Sequence, residues 1–91
     1  MSQEIAQANL LQKVAPLYPA IARAARVQGT VQMRIMIGPD GRVLQLSVIS
    51  GPSMLTNSAI EAVSQWVYKP IVMNGQPATV TSQVEVVFQL L

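Results

Sequence analysis

The sequence predicts an α+β domain, a three-stranded antiparallel sheet with two helices packed on one face, in the order helix-strand-strand-helix-strand. Three observations lead there. Apolar residues alternate with polar ones over residues 31–37, 44–48 and 80–90, which is the period of a half-buried strand. Leu55, Ala59, Ala62, Val63 and Trp66 recur at helical spacing. Gly38-Pro39-Asp40-Gly41 sits between the first two strand patterns as a hairpin turn, with Pro39 presetting φ, Asp40 able to bond backbone and Gly41 accepting a positive φ.

Taken in order, residues 1–14 lack strong punctuation and read as a flexible N-terminal segment or linker end, with the domain running from 15 to 91. Pro16-Leu17-Tyr18-Pro19 sets an extended entry, because each proline disfavours the α region for the residue before it. Pro19 suits a first helical turn, and the Ala- and Arg-rich stretch 20–27 follows, stopped by Gly29. In the first strand Val31, Met33, Ile35 and Ile37 share the buried face. In the second, Leu44, Leu46 and Val48 share one face, with Val43, Gln45, Ser47 and Ile49 on the other. The second helix begins near Thr56, as N-cap, or at Ser58 with Glu61 in a capping box, and ends at Pro70. Trp66 reads as a core anchor. Asn74-Gly75 makes a tight turn into the last strand, where Val80, Ser82, Val84, Val86, Phe88 and Leu90 oppose Thr79, Thr81, Gln83, Glu85, Val87 and Gln89. An open three-stranded sheet has two edges, and their main-chain groups are a template for another extended chain.

The residue inventory excludes most chemistry. With no His, no Cys and only four carboxylates (Glu4, Asp40, Glu61 and Glu85), the chain lacks the groups for acid–base, nucleophilic or thiolate-metal work, and no cofactor is called for. Neither Lys13 nor Lys69 lies in an S-x-x-K spacing, and no glycine-rich phosphate loop opens a helix. The chain is read as a binding module and not an enzyme. Its net charge of +2 is scattered with no basic tract, which argues against a nucleic-acid partner. No apolar run approaches the roughly 20 residues that span a bilayer, and the N-terminus lacks the order of a signal peptide.

Over residues 15–91 the ordered set of motifs resembles the TonB C-terminal domain family. The residues that carry the resemblance are Tyr18-Pro19, Ala22, Gly29 and Val31; Asp40-Gly41-Arg42-Val43; Leu55, Ser58-Ala59, Ala62-Val63, Trp66, Tyr68 and Pro70; Asn74-Gly75-Gln76-Pro77; and Val84-Glu85-Val86-Val87-Phe88. Three positions depart from the pattern. Ala15 stands where the best-known members carry Gln in a receptor-contacting segment, Val67 where a basic residue follows the Trp, and Thr56 where Asp is common.

The resemblance implies a periplasmic module of an energy transducer that is anchored in the inner membrane, where motor proteins act through a region N-terminal to this sequence. The module would grip an extended N-terminal segment of an outer-membrane transporter and so couple inner-membrane energy to nutrient import. By that analogy the last strand is the acceptor, through the main chain around Thr81, Gln83, Glu85 and Val87, with Leu17, Tyr18 and Arg23 as side contacts. The alternative is a TolA-like or other structural role in envelope assembly, including a strand-exchanged homodimer.

Overall fold

The computed structural model describes residues 9–90, and the reading of residues 1–8 lies outside the described residues. Among the described residues the elements follow in order: β1 (Leu10–Gln12), α1 (Ala20–Ala24), β2 (Gly29–Ile37), β3 (Val43–Ser50), α2 (Ser53–Val63), β4 (Val67–Tyr68), β5 (Val72–Met73), β6 (Gln76–Pro77) and β7 (Val80–Phe88). The three long strands form the antiparallel sheet that the sequence predicts, ordered β3-β2-β7 with β2 in the centre. Two small pairs, β1-β4 and β5-β6, are additional. The second is a hairpin closed by Asn74 (φ 51°) and Gly75 (φ 80°), two successive positive φ values that match the twist of its strands.

The core lies on one side of the sheet. Val31, Met33, Ile35 and Ile37 of β2 and Val80, Val84, Val86 and Phe88 of β7 pack with Ala22 of α1 and with Leu55, Ala59 and Val63 of α2. The two-residue period survives intact along β7, whose nine residues alternate buried and exposed without a break. Ser82 is the one polar member of this inner row, 4% exposed, and its hydroxyl finds no partner.

β3 departs from the pattern read in the sequence. Ile37 pairs with Val43 but Met36 pairs with Gln45, so Leu44 is an extra residue, and Ile49 is extra in the same way between Val48 and Ser50. Each bulge shifts the alternation by one. Val43, expected on the polar face, therefore faces the core beside Leu46, whereas Leu44 leaves that face and folds over Gly38.

Both helices also end differently from the sequence reading. α1 stops at Ala24, and Arg26, not Gly29, takes the left-handed conformation after it (φ 57°). The Val27 N–H bonds the Ala22 carbonyl (2.8 Å) and the Arg26 N–H bonds that of Arg23 (3.1 Å), the paired bonds of a Schellman cap. α2 starts at Ser53 after Pro52, without a side-chain cap: the Thr56 hydroxyl bonds back to the Ser53 carbonyl instead. It closes at Val63, well short of Pro70, leaving Glu61 in the last turn and not near a helix start.

Residues 64–69 are thereby released to run back as β4. Structure also begins before Pro16, because Leu10 and Gln12 of β1 pair with Tyr68 and Val67. On the other side of β4 the tip of the β2-β3 hairpin docks: the Tyr68 N–H donates to the Gly41 carbonyl (2.7 Å), and Arg42 bridges to Val67. Gly41 is required there twice. Its φ is 86°, and a Cβ would lie 1.8 Å from the Tyr68 carbonyl oxygen.

Three outcomes follow. Gly41→Ala should cost about 3 kcal/mol or more in denaturant unfolding, since strain and overlap act together. Arg26→Gly should add about 1 kcal/mol by relieving a left-handed non-glycine residue. Tyr68 is buried, and desolvation pushes its phenol from 10.0 up to about 12. The folded state thus holds this proton more tightly than the unfolded chain. The stability this gives is complete below the unfolded value near pH 10 and is lost as pH rises through about 12. Urea titrations over that window should show the fall, and Tyr68→Phe should flatten it.

Candidate functional site

Among the described residues β7 is an edge strand, with β2 on one side only in its sheet. β3 forms the other edge, but its two bulges interrupt the straight ladder that an added strand needs. β7 pairs with β2 over residues 29–37 and 80–88 with no shift of register, so its backbone is regular along its whole length. The better-formed docking edge is therefore β7.

Beside this edge lies a groove of about 480 Å³, within the range of roughly 300–1,000 Å³ usual for ligand sites. The N-terminal arm contributes Lys13, Ala15 and Pro16, the strand contributes the consecutive residues Glu85, Val86 and Val87, and Trp66 completes the lining. The Val86 side chain is buried in the core, so what it brings to the groove is main chain. Val87, in contrast, is 58% exposed and offers an apolar surface.

The arm is held in place by contacts with residues 66–69. Trp66 packs its ring into the core and donates its indole N–H to the Val14 carbonyl (3.0 Å), while the Lys13 ammonium lies 5.7 Å from the ring centroid. Val14 packs on the core edge, and the Lys69 N–H reaches the Asn9 carbonyl (2.6 Å). Across the groove the Glu85 carboxylate accepts from the Gln32 amide (3.1 Å), whose oxygen accepts in turn from the Ser50 hydroxyl (3.2 Å). This ladder crosses all three strands on the open face and fixes Glu85 beside a lysine-bearing wall.

The structure divides the site residues read from the sequence. Thr81, Gln83, Glu85 and Val87 share the exposed face of β7, but only Glu85 and Val87 line this groove. Leu17 stands 83% exposed on the arm, with its carbonyl accepting the Ser58 hydroxyl. Tyr18 is occupied structurally: its hydroxyl donates to the Val27 carbonyl and its ring meets Phe88 edge-on, with centroids 5.5 Å apart. The Arg23 guanidinium lies 5.4 Å from the centroid of the Tyr18 ring, and both line a second hollow at the C-terminal end of β7 with Gln89 and Leu90. Lys13, Pro16 and Trp66 were missing from the sequence reading of the site. Only Ala15, through its position in the receptor-contacting segment of the family pattern, hinted at that wall.

Among the described residues no group of three or more His, Cys, Asp or Glu side chains could hold a metal ion. Among them also, no helix is long and apolar enough to cross a membrane. The arrangement offers a regular main-chain edge, an apolar side chain and a pair of opposite charges, which suits holding an extended chain.

Comparison with known proteins agrees with this architecture. Residues 14–90 match the family model described as the Gram-negative bacterial TonB protein C-terminal region. The TonB protein of Vibrio cholerae is 35% identical over 80 residues, covering 86% of this chain and 33% of the relative. The TonB protein of Escherichia coli K12 is 34% identical over 66 residues, covering 70% and 26%. The chain therefore spans a third or less of the length of these curated relatives. Among solved structures, the solution NMR structure of the Pseudomonas aeruginosa TonB C-terminal domain superposes with a TM-score of 0.75 at 24% identity, covering 89% of this chain and 84% of that one, and so shares the fold. Fold, ordered motifs and family match converge: this chain belongs to the family of TonB C-terminal domains.

Proposed function

We propose that this domain is the periplasmic grip of a TonB-type energy transducer, holding an extended segment of an outer-membrane transporter that adds as a strand to the edge of β7. One observation carries the reading: the groove is walled on one side by three consecutive residues of an unbulged edge strand, so a guest meets main chain as well as side chains. Strand addition draws affinity from main-chain hydrogen bonds and specificity from alternate side chains, which is the pairing of features found here. In this reading, anchoring in the inner membrane and coupling to motor proteins fall to parts of the protein outside this domain.

Glu85 and Val87 are the side chains placed to touch the guest in this reading, with Lys13 and Trp66 added by the geometry, while Leu17 stands exposed on the arm outside the groove. Tyr18 and Arg23 act at one remove, bracing the end of β7.

A peptide scan tests this. Short peptides from the N-terminal segments of outer-membrane transporters are titrated against the domain, following backbone amides and the emission of Trp66, the one tryptophan in the chain. Binding should move the amides of residues 83–88 and the indole signal. Proline placed along the peptide should weaken binding about tenfold or more at alternate positions only, because only alternate N–H groups of an added strand face β7. Uniform sensitivity to proline, or shifts confined to β3, would reject strand addition at this edge.

A further inference from the structure

Both walls of the groove run on past it. The arm that supplies Lys13, Ala15 and Pro16 next supplies Tyr18 to the second hollow, of about 480 Å³, and the strand that supplies residues 85–87 continues into it as Gln89 and Leu90. An extended guest lying beside residues 85–87 is led toward this hollow as it passes the end of β7. Leu90 follows Val86 by four residues, roughly 13 Å of extended chain.

What waits there is positive charge. Arg23 and Arg26 line the hollow from the end of α1, and no acidic residue lines it. Among the described residues the ion pair is Arg42 with Asp40, so neither of these guanidinium groups is matched by a carboxylate. Arg23 is steadied by the Tyr18 ring, and a guanidinium resting on a ring keeps a planar fork of N–H donors that fits a carboxylate. A cation in the last turn of a helix also has an ordinary reason to be there, the helix dipole. That reason does not extend to Arg26, which lies past the end of a five-residue helix, beyond the turn over which the dipole acts. Arg26 is exposed and holds φ at 57°, a conformation that glycine adopts without strain. A long cation kept where glycine would be more stable points to a use for its charge.

We infer that Arg23 and Arg26 form an acid-reading subsite at the end of β7, which takes the carboxylate of an Asp or Glu side chain about four residues along the guest from the one beside Val86. The subsite rests on the strand-addition reading and adds a sequence preference to it, giving Arg23 a part beyond bracing Tyr18. It also reports the sense of the guest. The acid lies toward the guest's N-terminus if the guest runs antiparallel to β7, and toward its C-terminus if it runs parallel.

The test uses the whole chain and transporter-derived peptides carrying Asp, or its near-isostere Asn, at each position in turn, read by Trp66 emission at low salt. Asp should bind about fivefold tighter than Asn at one position or two neighbouring ones near the expected spacing, the scale of an exposed ion pair, and should lose that advantage in high salt. Arg26→Gly relieves the left-handed strain, so its fold is not at risk, and it should cut the preference to about twofold or less. Adding Arg23→Gln should erase it. Arg42→Gln, which removes the same charge at the hairpin tip, should leave it intact. Equal binding of Asp and Asn peptides at every position, with the β7 amides shifting normally, would overturn the subsite alone, and so would a preference that survives the double variant. If no peptide of either kind binds, strand addition fails and the subsite falls with it.

Discussion

Trp66 is the point on which the rest of the site depends. Its ring belongs to the core cluster, its indole N–H holds the Val14 carbonyl, its face carries the Lys13 ammonium and its edge reaches the groove. One side chain thus ties sheet packing to the course of an arm some fifty residues earlier in the chain. The arm could not take that course if α2 ran on to Pro70. Because the helix stops at Val63, residues 67–68 become β4, and β4 receives β1 on one side and the hairpin tip at Gly41 on the other.

The two sheet edges have been treated differently. β3 carries two bulges, a distortion that blunts pairing with another strand. β7 is regular throughout, and protection comes from the arm standing beside it. An edge bordered by a separate segment, and free of built-in distortion, is suited to pairing with an added strand. The charges are spare: Lys13 and Glu85 flank the groove, while the exposed Asp40–Arg42 pair at 3.9 Å belongs to the turn and contributes little.

Much of the fold was legible because β2 and β7 keep strict alternation from Val31 to Ile37 and from Val80 to Phe88. Val43 was misplaced because a bulge adds a residue without leaving a mark in the hydropathy pattern. The ends of the helices were misread for a related reason: Arg26 adopts a conformation normally given to glycine, and Trp66 continues a helical spacing after the helix has stopped. The site was half legible. Glu85 and Val87 follow from the exposed face of the last strand, but the opposite wall comes from residues 13–16, a stretch with no periodic signal whose position is set by contacts with Trp66 and β4. Such contacts join distant parts of the chain, and local pattern does not report them.

The most direct measurement of the central claim is amide hydrogen exchange along both sheet edges, with and without a saturating transporter-derived peptide. The account predicts that peptide slows exchange at alternate amides of β7, centred on residues 85–87, and leaves the β3 amides unchanged. Protection gained along residues 43–50 with none along 80–88 would contradict it and move the binding edge to the far side of the sheet.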